Sequence, residues 1–213
     1  MVYSTFADVN LLTNITANDV ANADVTSLIA YATYQLNHDI NVKIIRERVE
    51  YIDSTRENNI DSSNTIFYIR NWKGNYLADL NDDGDIDTSD VIAHLVSTDG
   101  TETTATVSSI DESGKVTLSA APTSDQEVYL TYAYSRVSEN GSNCHPLVKM
   151  ACVYLTAYLC YGKIMLGKSP TVSFGNTRLV RNMSSANEYF QRYQLIVKQI
   201  NDTQADIKKA EEI

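Results

Sequence analysis

The chain has 213 residues, 43% of them hydrophobic, and a formal net charge of −10. This is enough for one large domain or two small ones with buried cores, and it excludes a disordered composition. The acidity excludes the basic footprint of a general nucleic-acid binder. No uninterrupted apolar run reaches the length of a membrane span, and the opening Met1 to Asp8 lacks the basic and apolar regions of a signal peptide, so a cytosolic product is expected.

Residues 5–41 read as helical. Thr5 is placed to cap a short turn running to Leu12. Asn22 opens a longer helix in which Val25, Leu28, Ile29, Ala32 and Leu36 recur at steps of three and four, the spacing of one buried face. His38 stands near its end, where the helix dipole favours a protonatable group. From Val42 the period changes to two. Ile45, Val49 and Tyr51 fall on one side and Arg46, Arg48 and Glu50 on the other, which predicts a half-buried strand over 42–52. A polar stretch from Asp53 to Asn64 leads into a second strand over 65–72. Glu50, Asp53 and Glu57 are close in sequence, but carboxylates in a strand and turn are ordinarily solvated.

The strongest local motif follows, Asp79-Leu80-Asn81-Asp82-Asp83-Gly84-Asp85-Ile86-Asp87-Thr88-Ser89-Asp90. Oxygen side chains stand at positions 1, 3, 5, 9 and 12, with glycine at 6, which is the spacing of an EF-hand-type calcium loop. In that pattern Asp79, Asn81 and Asp83 wrap one side of the ion. Asp85 offers its carbonyl, Asp87 a carboxylate, and Asp90 closes the site. Gly84 permits the sharp turn, and Ile86 would pin the loop to the protein body. Magnesium fits less well, because it keeps several waters. Asp90 is shorter than the usual closing Glu. The flanking segments read as strands and not as the helix pair of a calcium sensor, so the expected role of Ca2+ is a structural staple. Six acids would repel each other without a cation. The loop is also similar to those of dockerins, which leaves a calcium-dependent protein-binding or adhesion module as the alternative.

Beyond the loop, strands are expected over 91–97 and 127–134, with Val128, Leu130, Tyr132 and Tyr134 on one face of the latter. A hairpin pairs 103–110 with 115–120 around Ser113-Gly114. The stretch 42–137 is therefore a β-rich block of five to seven strands. After a polar linker at 138–144, Pro146 suits a first helical turn, and Leu147 to Leu166 is apolar nearly all round, with Tyr154, Tyr158 and Tyr161 along one face. Cys152 and Cys160 on this run read as buried reduced thiols, and Cys144 precedes it without any zinc spacing. Residues 167–183 read as a loop carrying a small basic cluster, Lys168, Arg178 and Arg181, which is either a solvated loop surface or a contact for an acidic partner surface. Gly167-Lys168-Ser169 lacks the upstream glycine of a phosphate loop. Ser185 with Glu188 reads as a capping box opening a long helix with Tyr189, Tyr193, Ile196 and Ile200 on one face. Residues 204–213 are a charged tail.

The expected class is α+β. A discontinuous helical domain, 1–41 plus 143–213, carries an inserted antiparallel β domain, 42–142, with the calcium loop 79–90. His38, His94 and His145 lie in unrelated segments, and no nucleophile motif or phosphate loop is found, so no enzyme is expected.

Three stretches carry a resemblance. The opening Tyr3-Ser4-Thr5-Phe6-Ala7-Asp8-Val9 with Asp24-Val25-Thr26-Ser27-Leu28-Ile29-Ala30, the run Pro146-Leu147-Val148-Lys149-Met150-Ala151 with Leu155-Thr156-Ala157-Tyr158, and the closing Glu188-Tyr189-Phe190-Gln191-Arg192-Tyr193 resemble the helices of head–tail connector proteins of tailed viruses of bacteria and archaea. These adaptor or head-completion proteins sit in the viral neck. The resemblance covers about half the chain; the β insertion departs from the minimal helical family. It implies a virion protein made in the host cytoplasm, forming a homo-oligomeric ring of about twelve copies between the portal protein and a tail-side connector or stopper protein. Genomic DNA would pass through the ring without specific binding, because a mildly acidic lumen repels it. No membrane is involved. The resemblance also implies that the C-terminal segment, with Asp206, Lys208 and Lys209, reaches toward the portal.

Overall fold

The computed structural model describes residues 3–49, 58–70, 75–140, 144–166, 171–174, 177–180 and 184–202, with backbone alone for 171–174, 177–180, 184 and 185. Glu50, Tyr51, Asp53, Glu57, Trp72, Lys168, Arg181, Asp206, Lys208 and Lys209 lie outside the described residues or side chains. The protein has an α+β fold. Contacts divide it into two compact units, one drawn from 1–39 and 144–202, the other from 40–143.

The helical unit begins with α1 (Phe6–Thr13). The Thr5 side chain accepts from the Asp8 N–H, and the Asp8 carboxylate accepts the Thr5 N–H at 2.8 Å. This reciprocal cap is worth about 1 kcal/mol. Asn14 ends the helix in the left-handed region at φ 56°, a conformation Asn tolerates. In α2 (Asn22–Ile40), Val25, Ile29, Ala32 and Leu36 are buried, while Tyr31 and Tyr34 are exposed. The central helix α3 (Pro146–Leu166) buries Val148, Ala151, Cys152, Val153, Leu155, Ala157 and Cys160.

Helix α4 (Ser184–Asp202) lies along α3 and closes an aromatic seam. Tyr154 and Tyr161 meet Tyr189, and Tyr158 meets Phe190 with ring centroids 4.9 Å apart. The Tyr193 hydroxyl donates to the Asp39 carboxylate, and Asn201 donates to the Asp39 carbonyl, tying α2 to α4. Length and composition would allow α3 to cross a membrane, but half of that stretch is buried. Lys149 and Lys163 near its ends pair with Asp8 at 2.8 Å and Asp24 at 2.6 Å.

One expectation fails in this unit. The stretch 167–183 is not all loop: β9 (Thr171–Phe174) and β10 (Thr177–Val180) form an antiparallel hairpin, with Arg178 opposite Ser173. Their β-branched residues suit a strand even over four positions. The Ser185 side chain of the expected capping box lies outside the described side chains.

Among the described residues the β unit holds eight strands in two sheets. A five-stranded sheet has the order β1 (Val42–Arg48), β8 (Gln126–Ser135), β4 (Val91–Ser97), β5 (Glu102–Ala105), with β3 (Tyr76–Ala78) also on β8. A three-stranded sheet has the order β2 (Ile66–Tyr68), β7 (Lys115–Leu118), β6 (Val107–Asp111). Every pairing is antiparallel. One core holds them together, built from Val49, Phe67, Leu77, Val91, Val116, Leu118, Val128, Leu130 and Tyr132 among others. Each fully buried aliphatic side chain contributes roughly 1.5–3 kcal/mol.

The alternation predicted for 42–52 breaks within β1. Its register shifts between Ile44 and Glu47, and Arg46 takes φ 56°. The bulge turns Ile44 inward and leaves Ile45 76% exposed. The strand expected over 103–110 is divided at Thr106: β5 pairs with β4, while β6 turns into the other sheet to pair with β7.

Candidate metal centre

The register of β8 positions the acidic loop. On one edge, β8 pairs with β1, with Tyr134 opposite Val42 and Ala133 opposite Lys43. Strand β3 pairs with these same β8 residues, Leu77 with Tyr134 and Ala78 with Ala133, so it must occupy the other edge. That edge is also where β4 lies, starting with Val91 opposite Tyr132. Strands β3 and β4 are thus two parts of one line along β8, and residues 79–90 leave and rejoin it between adjacent register positions. The ends of the loop are held about one residue step apart. In an EF-hand two helices bring loop positions 1 and 12 together; here a sheet edge does so.

Within the loop, polar side chains engage the backbone. Asp79 Oδ1 accepts the Asp82 N–H at 2.6 Å and Oδ2 the Gly84 N–H at 2.7 Å. Asn81 Oδ1 accepts from Asp83 N–H at 2.9 Å, and Asp83 Oδ1 from Asp85 N–H at 3.0 Å. The Asn81 amide bridges Asp83 Oδ2 at 2.9 Å and Ser89 Oγ at 2.8 Å. Asp87 caps a 3-10 turn, Thr88–Asp90, accepting from Ser89 N–H at 2.7 Å. Asp90 reaches back across the loop. Its Oδ1 accepts from Leu80 N–H at 2.7 Å and Asn81 N–H at 3.3 Å, and its Oδ2 from Asp87 N–H at 2.8 Å. Gly84 takes φ 89°, open to glycine without strain. Ile86 packs against the core of the β unit.

Asp79 and Asp90 are buried, at 1% and 0% exposure. Burial raises both carboxyls above the ordinary 3.8. The charges of Asp82 and Asp83 add to the rise at Asp79, and that of Asp79 to the rise at Asp90. Asp87 is lowered by its hydrogen bonds from Ser89. The sheet therefore holds two buried carboxylates of one sign close enough to interact, a placement that favours a cation.

Among the described residues, no group of three Asp, Glu, His or Cys side chains converges as a ready ligand set. In this conformation Asp79, Asp83, Asp87 and Asp90 accept the loop's own N–H groups. A carboxylate oxygen has a second lone pair, so these bonds leave acceptor capacity. The donor set of carboxylate, amide and carbonyl oxygens fits calcium, which takes six to eight oxygens. Asp79, Asn81, Asp83, Asp87 and Asp90, with the Asp85 carbonyl, would hold it.

Two residues that the sequence reading did not single out, Asn41 and Lys43, meet the base of the loop, and a third, Glu139, meets Asn41. Asn41 Nδ2 donates to the Asp79 carbonyl at 3.4 Å and to Glu139 Oε2 at 3.3 Å. Lys43 Nζ donates to the Leu80 carbonyl at 3.0 Å and lies 3.5 Å from Asp82 Oδ2. Nothing local in the sequence marks them, because the pairing of β1 and β3 with β8 brings them to the loop.

The histidines are spread apart. His38 packs edge-on against Tyr34, His145 Nδ1 accepts the Leu147 N–H, and His94 Nδ1 lies 2.9 Å from Glu102, which also pairs with Arg46 at 2.7 Å. No protein-family model matches the chain, and no curated protein sequence matches it.

Proposed function

We propose that this chain is a structural, non-catalytic subunit of a viral neck, a head–tail connector whose inserted β unit is stapled by Ca2+. The observation that carries the reading is the organisation of the chain. Helices from both ends form one unit, and the β unit occupies the connection between α2 and α3. The helical unit supplies the contacts of a homo-oligomeric ring and the surface toward the portal protein. Lys168, Arg178, Arg181, Asp206, Lys208 and Lys209 are the candidate contact residues. A ring of acidic subunits lets genomic DNA pass without gripping it.

When bound, calcium supplies the countercharge for the loop's acids. The chain's own residues do the rest: the sheet edge fixes the two ends, Ile86 anchors the loop to the core of the β unit, and Gly84 makes the turn. Mass photometry of the full chain tests the reading, with a ring expected and a monomer at every concentration opposing it. A second reading has one observation behind it, the clamped loop itself: a calcium-dependent protein-binding or adhesion module. A chain that stays monomeric and gains stability from calcium would favour that alternative.

A further inference from the structure

We infer that Lys43 is a built-in counter-ion of the loop 79–90, holding its shape before calcium arrives and lowering its affinity for the ion. The inference rests on the calcium reading above.

Lys43, Ala133 and Ala78 stand in one cross-strand row, each opposite the next on β1, β8 and β3. Directly opposed residues share a face of the sheet. The two residues between Lys43 and the loop are alanines, and both are buried. Their small side chains leave the row low, and the ammonium reaches the loop, donating to the Leu80 carbonyl at 3.0 Å and pairing with Asp82 Oδ2 at 3.5 Å.

Asp82 is loop position four, which supplies no ligand in the calcium pattern. The lysine thus meets the carboxylate that the ion would leave unanswered. Ammonium and calcium are both cations drawn to one acidic loop, so their coupling is unfavourable. By linkage, whatever Lys43 loses when calcium binds, calcium loses to Lys43.

This gives a result that a merely anchoring lysine would not. In the full chain, Lys43→Met keeps the apolar stem and removes the charge. In EDTA the variant should melt below the wild type, yet calorimetric titration with CaCl2 at low ionic strength should show binding tighter on the order of two- to fivefold. The difference should shrink at high salt, and Lys43→Arg should resemble the wild type. Unchanged or weaker calcium binding by Lys43→Met overturns the counter-ion role while leaving the calcium site standing. A wild-type chain that gives no heat with CaCl2 overturns both.

Discussion

Calcium should stabilise this chain through two buried aspartates, and one substitution should remove most of the effect. Asp79 and Asp90 sit at the two ends of a loop whose base is fixed on β8, with exposures of 1% and 0%. At a free calcium concentration one hundred times the dissociation constant, binding to the native state alone contributes about 2.7 kcal/mol. For a chain of this length that is roughly 5–11 °C in melting temperature. Asp90→Asn keeps the shape but turns an amide N–H toward Asp87 N–H, in place of an oxygen that accepts it at 2.8 Å. A lost charge-assisted bond of this kind costs about 1.5–3 kcal/mol. In EDTA, relief of the repulsion from Asp79 offsets part of that. In calcium nothing does, because the closing ligand is gone. Differential scanning calorimetry of both proteins, in EDTA and in millimolar calcium, should show a clear rise for the wild type and little for the variant. The pH dependence has a defined sign. Both carboxyls are raised above 3.8, so the metal-free native state binds protons more tightly than the unfolded chain, and these groups lower stability as pH rises from 3.8 through their folded values. Calcium binds the ionised forms, so its stabilisation is full near neutral pH and fades as pH falls into the same window. A wild type indifferent to calcium at pH 7, or an Asp90→Asn chain that responds equally, would refute the reasoning.

Asn58 offers a test of the β unit. It is buried at φ 68° and bridges the Val49 and Tyr68 carbonyls, each at 2.7 Å, while accepting the Tyr68 N–H. Asn58→Ala strands these backbone groups in a conformation alanine resists, so a loss of at least about 3 kcal/mol is expected in urea unfolding; a loss below about 1 kcal/mol would contradict it. For the cysteines, burial pushes the Cys152 thiol up and the Cys160 thiol up to about 11, while Cys144 is partly exposed. Iodoacetamide at pH 8 should therefore modify Cys144 in the native chain, reaching the other two only in denaturant. Rapid native labelling of Cys152 would show that the packing of α3 is misread.

The elements legible in the sequence are those in which one local signal sufficed. Val25, Ile29, Ala32 and Leu36 mark the buried face of α2 by spacing alone, and all four are inside. Val128, Leu130 and Tyr132 do the same for β8. The acidic stretch was legible as a spacing of oxygen side chains, and the strand that follows it, β4, could be read from its own residues. What remained hidden depends on distant partners. Ile44 and Ile45 are equally apolar, and only the bulge at Arg46 decides that Ile44 faces the core. No Gly or Pro marks Thr106 as the point where the chain changes sheets, and the three residues of β3 are too few to show a period. Asn41 and Lys43 reach the base of the loop across 38 and 37 residues of chain, and Glu139 meets Asn41 across 98. Such contacts exist only once the register of β8 is set.

The most direct measurement is mass photometry of the purified full chain in calcium, with and without portal protein. A closed ring of about twelve 23.7 kDa subunits that adds to the portal is the predicted result. A species that remains one subunit in mass at every concentration, and does not associate with the portal, would contradict the connector assignment.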